Sequence, residues 1–266
     1  MNILKRELKV GRKSFIFWTI GLFVLVFAGI TKFTGLDAGG VGVNDIMTQL
    51  PRPLLAMLGL VGVNISTING YYAIIVFYVM VCMAIYAISL GANAVGREAV
   101  DKTYEFVFTK PRSRSYILAM KLLSGLIFLI AFGILNYLFS VVALVTLKLD
   151  TDISSEILLF SLSVVIVGFV FYSLSAMVVS ITKRSEKGFL YGNLCLIVMF
   201  LIGMLYDMLE NAEVIRLFTP LKYFIPSEIL DGNLSLGHLC LAVISCVCFT
   251  VLAFLNFEKK DLQVNS

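Results

Sequence analysis

The sequence predicts an all-α integral membrane protein with six spans, and three observations support this. Hydrophobic residues make up 59% of the 266 residues and charged residues only 14%, whereas soluble domains carry about 25% charged residues. The apolar residues form six long runs, and each is long enough for the roughly 20-residue helix that crosses a bilayer. These runs are continuous and lack the alternating pattern of a membrane barrel.

We place the spans at about residues 14–33, 71–95, 122–147, 157–181, 188–206 and 238–256. The chain has no linker, low-complexity tract or clear internal repeat, so residues 1–266 are expected to form one transmembrane domain. The first apolar run is too long for a cleaved signal peptide and no convincing small-residue cleavage site follows it. We therefore expect it to be retained as the first span.

Residues 1–13 are predicted to form an amphipathic elbow helix before the first span. Apolar residues recur on one side and basic residues cover the rest, namely Ile3, Leu4, Leu8 and Phe15 against Lys5, Lys9, Arg12 and Lys13. Such a helix lies in the headgroup layer with its basic side chains against anionic lipid. The alternative is a basic flank without helical order.

The loop charges predict the orientation of the chain. With six spans, 16 of the 21 basic residues fall on the side of the two termini. The opposite side has only Lys32, Arg52, Lys148, Arg216 and Lys222. Basic residues stay on the cytoplasmic side during insertion. We therefore expect a multi-pass protein of the cell (plasma) membrane with both termini in the cytoplasm.

Two long loops face the other side, at residues 34–70 and 207–237. Each contains apolar stretches that are short and interrupted by proline. Irregular backbone at membrane depth is tolerated only where protein or a water-filled cavity covers it. We expect short interfacial or re-entrant helices before spans two and six.

The predicted spans carry no charged residue in their middle, and their polar residues include Asn93, Asn136 and Asn193. Ion-coupled carriers usually place an ionisable group within the membrane, so this class is disfavoured, as are charged-ring channels and intramembrane proteases. The five cysteines all lie in apolar runs, where we expect them to act as small buried hydrophobes. His238 is the only histidine, and no metal site is expected.

The sequence GREAVDKT at residues 96–103 superficially resembles a phosphate-binding loop. The glycine that such a loop needs before its lysine is replaced by Asp101, whose charge would repel phosphate. The spans also leave no room for an ATPase domain. We therefore expect no catalytic activity and no bound cofactor in this chain.

The segment between spans two and three, residues 97–121, predicts a short amphipathic helix on the cytoplasmic face. Apolar positions recur at helical spacing, and Glu98 stands four residues before Lys102, as in an ion pair. Pro111 should end the helix, and Arg112 and Arg114 form a basic patch before span three. The alternative is a solvated loop with a basic flank.

This segment resembles that of the permeases of type-2 ATP-binding-cassette (ABC) exporters. The resemblance rests on Glu98, Thr103, Tyr104, Glu105, Pro111, Arg112, Ser113, Arg114 and Lys121. The N-terminal elbow, the six spans, the long fifth outer loop and the short KRSEK loop also match the family, so the resemblance covers the whole chain. One departure is Lys102, where the family often has glycine.

The resemblance implies that the inner helix is a coupling helix, seated in a groove on an ABC ATPase subunit. The residues assigned to it are Glu98, Asp101, Lys102, Thr103, Tyr104, Glu105, Phe106, Phe108, Lys110, Pro111, Arg112 and Arg114. The KRSEK loop would give a second cytoplasmic contact through Lys183, Arg184, Glu186 and Lys187. ATP and magnesium would be bound by two partner ATPase subunits, and the other partners would be a second six-span core and membrane lipid, with no nucleic acid.

Small residues indicate where helices pack closely. Gly188 and Gly192, and also Ala87, Gly91 and Ala94, predict close contacts either within the chain or at a seam between subunits. The preferred function is an exporter of an amphipathic or hydrophobic cargo, such as a peptide antibiotic, a toxin peptide or a lipid-like molecule. The alternatives are a non-transporting scaffold or sensor relay, and an ion-coupled carrier.

Overall fold

The computed structural model describes residues 3–38, 50–100, 113–149, 154–182, 185–209 and 212–259. In these ranges the chain forms helices and no strand. The α-helices are α1 (Ile3–Ala38), α2 (Arg52–Leu58), α3 (Ile68–Val100), α4 (Arg114–Thr146), α5 (Ser154–Ile181), α6 (Gly188–Met208), α7 (Glu213–Arg216), α8 (Pro226–Leu230) and α9 (Leu236–Lys259). Two 3₁₀ turns lie at Ser185–Lys187 and Pro220–Lys222.

Six of these helices are long and apolar enough to cross a membrane, which confirms the six-span, all-α prediction. They are α1, α3, α4, α5, α6 and α9. Several are longer than the predicted spans. The 33 residues of α3 extend about 50 Å, against a hydrocarbon layer of about 30 Å. Helical hydrogen bonding continues past the last apolar residue. Hydropathy therefore predicts a shorter helix than the structure has, because the helix ends are polar.

Helix α5 lies at the centre of the bundle and packs against α3, α4, α6 and α9. Its contact with α3 is close because Gly91 has no side chain: a Cβ there would lie 2.4 Å from the carbonyl oxygen of Tyr172. One turn before Gly91 in α3, the carbonyl oxygen of Ile88 accepts a hydrogen bond of 2.8 Å from the Ser175 hydroxyl of α5. Close approach of backbones at small residues is the usual means of packing helices in lipid.

A chain of polar side chains links α3, α4 and α5 inside the bundle. The Tyr72 hydroxyl donates to Ser140 Oγ over 2.8 Å, and Ser140 donates to the carbonyl oxygen of Asn136 over 2.7 Å. Asn136 Nδ2 donates to Ser161 Oγ over 2.9 Å. Asn136 therefore holds helices together, although its Oδ1 has no hydrogen-bond partner within the described part of the chain.

The N-terminal segment differs from its prediction. The structure has one uninterrupted helix from Ile3 to Ala38, so the boundary predicted between elbow and span near residue 13 is absent. Glu7, Gly11 and Phe15 fall one turn apart and continue the buried face of α1. Phe15 and Gly11 both contact Phe128 of α4, with ring centroids 5.2 Å apart for the two phenylalanines. The elbow's position in the headgroup layer stays a prediction.

Short helices precede the second and sixth spans, as predicted, although residues 39–49 of the first loop lie outside the described ranges. Arg216 of α7 is 3% exposed and organises the second loop. Its guanidinium donates to both carboxylate oxygens of Glu228, over 2.8 and 2.7 Å, and to the carbonyl oxygens of Lys222 and Tyr223. A planar guanidinium suits such a multidentate arrangement.

The same loop is tied to the end of α6. Lys222 Nζ lies 2.5 Å from Asp207 Oδ2, and Arg52 Nε donates to the carbonyl oxygen of Asp207 over 3.1 Å. The Tyr223 hydroxyl donates to the carbonyl oxygen of Leu217 over 2.9 Å, and burial raises the pKa of this tyrosine. The two loops therefore form a cap on one end of the bundle.

Candidate coupling surface

The described ends of the two predicted cytoplasmic contacts lie side by side at the end of the bundle opposite the cap. Gly96, in the last turns of α3, packs against the 3₁₀ turn that follows α5: a Cβ on Gly96 would lie 3.4 Å from Ser185 Cβ. Glu186 and Lys187 of this turn are exposed. We call this the basic end, because the sequence places most basic residues here.

Both ends of the described chain meet at the basic end. Near the start of α1, the Glu7 carboxylate accepts from Arg97 of α3 over 3.3 Å. Near the end of α9, the Glu258 carboxylate accepts from the hydroxyl of Ser115, in the first turn of α4. The two contacts place the start of α1 and the end of α9 at the same end of the bundle, as an even number of spans requires.

An ion pair between Glu98 and Lys121 is buried at this end. Lys121 Nζ contacts Glu98 Oε2, and the side chains are only 2% and 8% exposed, respectively. Glu98 Oε1 has no hydrogen-bond partner among the residues described. The sequence indicated Lys102 as the partner of Glu98, but the structure pairs Glu98 with Lys121; Lys102 lies outside the described ranges.

The segment proposed as a coupling helix is bounded by the ends of two spans. Glu98 belongs to the last turn of α3, which continues to Val100, and α4 begins at Arg114 with Ser113 as its cap. The backbone N–H of Tyr116 donates to Ser113 Oγ over 3.3 Å. The remaining predicted residues lie outside the described ranges, and their roles stay predictions: Asp101, Lys102, Thr103, Tyr104, Glu105, Phe106, Phe108, Lys110, Pro111, Arg112, Lys183 and Arg184.

Gly188 and Gly192 face the interior of the bundle. A Cβ on Gly188 would lie 2.5 Å from Val179 of α5, and one on Gly192 would lie 2.6 Å from Ile88 of α3. Both glycines are buried in the single chain. Their small size therefore serves close packing of α6 within the chain.

Sequence reasoning did not single out Glu7, Arg97 or Tyr172 and used Lys121 only as a motif residue. The sequence contains a signal for two of these residues, Glu7 and Lys121. Glu7 is the only acidic residue in a basic segment, and Lys121 is followed by an apolar run. Such isolated charges at span ends often pair with a neighbouring helix. Within the described residues, no group of three or more His, Cys, Asp or Glu could hold a metal ion.

The fold defines a polytopic helical membrane protein with six membrane-spanning helices. Residues 1–262 match the family described as ABC-2 family transporter protein. The chain belongs to this family and is the membrane permease subunit of an ABC transporter, which partners with ABC ATPase subunits. No curated protein matches the chain.

Proposed function

We propose that this permease exports an amphipathic or hydrophobic cargo across the plasma membrane, driven by ATP hydrolysis in two separate ATPase subunits. The termini and the basic end face the cytoplasm. The segment between Glu98 and Arg114 docks on an ATPase subunit, and the turn with Glu186 and Lys187 provides the second contact.

The observation that carries this proposal is the convergence of the two contact segments. Gly96 and Ser185 bring the end of α3 and the turn after α5 together, so a single docked subunit reaches both. The 16 basic residues assigned to this side support a cytoplasmic location, where ATP is available. Family membership favours this permease function over the scaffold or relay.

The pathway is expected between two copies of the core, or between this chain and a sister chain. Helix α5 fills the centre of the bundle, and large side chains such as Phe160 and Phe171 are fully buried there. A cargo therefore passes along the surface of a core and not through its middle. Closure of the ATPase pair would tilt two such cores as rigid bodies and open the pathway outward.

The character of the bundle surface supports the proposed cargo class. The exposed side chains of α6 and α9 are predominantly apolar, including Leu194, Ile197, Val247 and Val251. Surfaces of this kind accommodate apolar cargo and lack the fixed charges that would select a polar ion. This supports a peptide or lipid-like molecule with a large apolar part.

Inside-out membrane vesicles test the proposal. Vesicles with the permease and its co-purifying ATPase should take up a dye-labelled amphipathic peptide or a fluorescent lipid analogue when ATP is added, and vesicles with an ATPase inactivated in its nucleotide site should not. Uptake that follows a proton or sodium gradient without ATP would overturn the assignment. Failure of any ATPase to co-purify would favour the scaffold.

A further inference from the structure

We infer that the buried Glu98–Lys121 ion pair positions spans two and three relative to each other. It joins them at the two ends of the coupling segment, so that both spans move together when the ATPase acts on that segment. The inference rests on the proposed function and adds a mechanical role for two named residues. Neither residue needs to touch the ATPase.

The position of the pair supports this role. Glu98 lies two residues before the end of α3, and Lys121 lies seven residues after the start of α4. The contact therefore joins α3 and α4 close to the two ends of the segment between them. A displacement of that segment by a docked subunit reaches both helices at this contact.

Burial makes the contact hard to open. Both side chains are almost fully buried, and separating them would leave two uncompensated charges inside the bundle. The carboxylate of Glu98 is held by Lys121 through its Oε2 atom. An exposed ion pair at this place would be screened and weak, and would allow the helices to separate.

Neighbouring contacts connect this ion pair to two more helices, α1 and α5. Arg97, adjacent to Glu98, pairs with Glu7 of α1. Tyr172 of α5 donates to the carbonyl oxygen of Leu122, the residue after Lys121, over 3.0 Å. The last turn of α3 and the start of α4 are therefore fixed to each other. The first is also fixed to α1 and the second to α5.

The test measures how ATP changes the opposite end of α3. Ser66→Cys places a thiol at an exposed position just before α3, in a chain whose five native cysteines are replaced by alanine. Permease and co-purified ATPase are reconstituted in lipid nanodiscs, and the rate of maleimide labelling is compared with and without ATP and vanadate. Recovery of the ATPase is measured on the same samples, and all rates are normalised to folded complex.

We expect Glu98→Gln and Lys121→Met to keep at least half of the ATPase recovery but to reduce the ATP-dependent change in labelling at least fivefold. The swapped pair, Glu98→Lys with Lys121→Glu, should return it to within about twofold of the parent protein. Glu258→Gln is the matched control, because it removes an exposed carboxylate that contacts the first turn of α4, the helix that carries Lys121. It should respond like the parent.

Three results would overturn the inference. The single variants could respond like the parent, which would leave the pair with a purely structural role. The swapped pair could respond no better than the single variants. The single variants could lose the ATPase, which would place these residues in the docking surface. If the single variants do not accumulate, the swapped pair decides alone. Absence of any ATPase from the parent complex would instead reject the proposed function.

Discussion

Tyr172 of α5 donates a hydrogen bond to the carbonyl oxygen of Leu122 in α4, with 3.0 Å between the oxygens. The tyrosine ring reaches this carbonyl because Gly125, one turn further along α4, leaves room for it: a Cβ on Gly125 would lie 2.3 Å from the Tyr172 hydroxyl oxygen. This relationship fixes the distance between spans three and four beside the buried Glu98–Lys121 pair.

Gly125→Ala should therefore destabilise the bundle. The added methyl group must displace the Tyr172 ring in a packed interior, and we expect a loss of about 1–3 kcal/mol in the free energy of unfolding. Thermal unfolding of the purified protein in detergent measures this. Gly21→Ala is the control: in the described part of the chain, its Cβ position meets no atom within 4 Å beyond its own stretch of helix. An equal loss in both variants would show that the Tyr172 contact is not the cause.

Arg216→Lys should loosen the cap on the other end. Lysine has three donors on a single nitrogen and cannot reproduce the four hydrogen bonds that the guanidinium donates from its three nitrogens. Leaving these buried acceptors without donors should cost about 2–4 kcal/mol, measured by unfolding and by faster proteolysis within residues 212–235. Glu213→Gln alters a carboxylate that is 68% exposed and 3.8 Å from Arg216, and should change stability little because exposed pairs contribute about 0–1 kcal/mol.

Asn136→Ala should leave the energy source unchanged. The substitution removes the hydrogen bond to Ser161, and such bonds between membrane helices contribute about 0.6 kcal/mol on average. Transport in vesicles should still require ATP. Asn193→Ala is the companion variant, since Asn193 Nδ2 donates to a carbonyl of its own helix, that of Phe189. Transport driven by an ion gradient in either variant would contradict the predicted mechanism.

Reporter fusions should confirm the orientation. A fusion after Ser266 or near residue 185 is expected to report cytoplasm, and one near residue 152 or 210 is expected to report the outside, because the basic residues are concentrated on the first side. Paired fusions to a phosphatase active only outside and to a fluorescent protein active only inside provide the readout. An exported signal at Ser266 would contradict the six-span topology.

Replacing Tyr104 and Phe108 together by alanine should weaken docking of the ATPase. These aromatics stand four residues apart in the predicted coupling helix, and buried aromatics contribute most of the energy at such interfaces. We expect a loss of about 2–4 kcal/mol, or about 30- to 1000-fold in affinity. Pull-down at equal membrane expression measures it, with Lys110→Ala as the control. Undiminished recovery of the ATPase would leave the segment as a lipid-surface element.

The candidate site was predictable in part. The spacing between Glu98 and Arg114 and the short loop before Gly188 indicated two contact segments, and the structure brings their described parts together. The pairing of Glu98 with Lys121 was not predictable by local spacing, since these residues are 23 positions apart. A helix pattern reports neighbours within four residues, and a contact between helices depends on how they are rotated and tilted against each other.

The sequence by itself determined that the chain is a six-span helical membrane protein, because lipid requires long apolar helices with internally satisfied backbone. Charge distribution added the expected orientation. Only the tertiary structure decided that α5 is central, that α1 runs unbroken from Ile3 to Ala38, and that Gly188 and Gly192 pack inside the chain. Apolar surfaces have almost the same affinity for lipid as for other apolar surfaces, so hydropathy cannot rank these helices; shape, small residues and buried polar contacts select their neighbours.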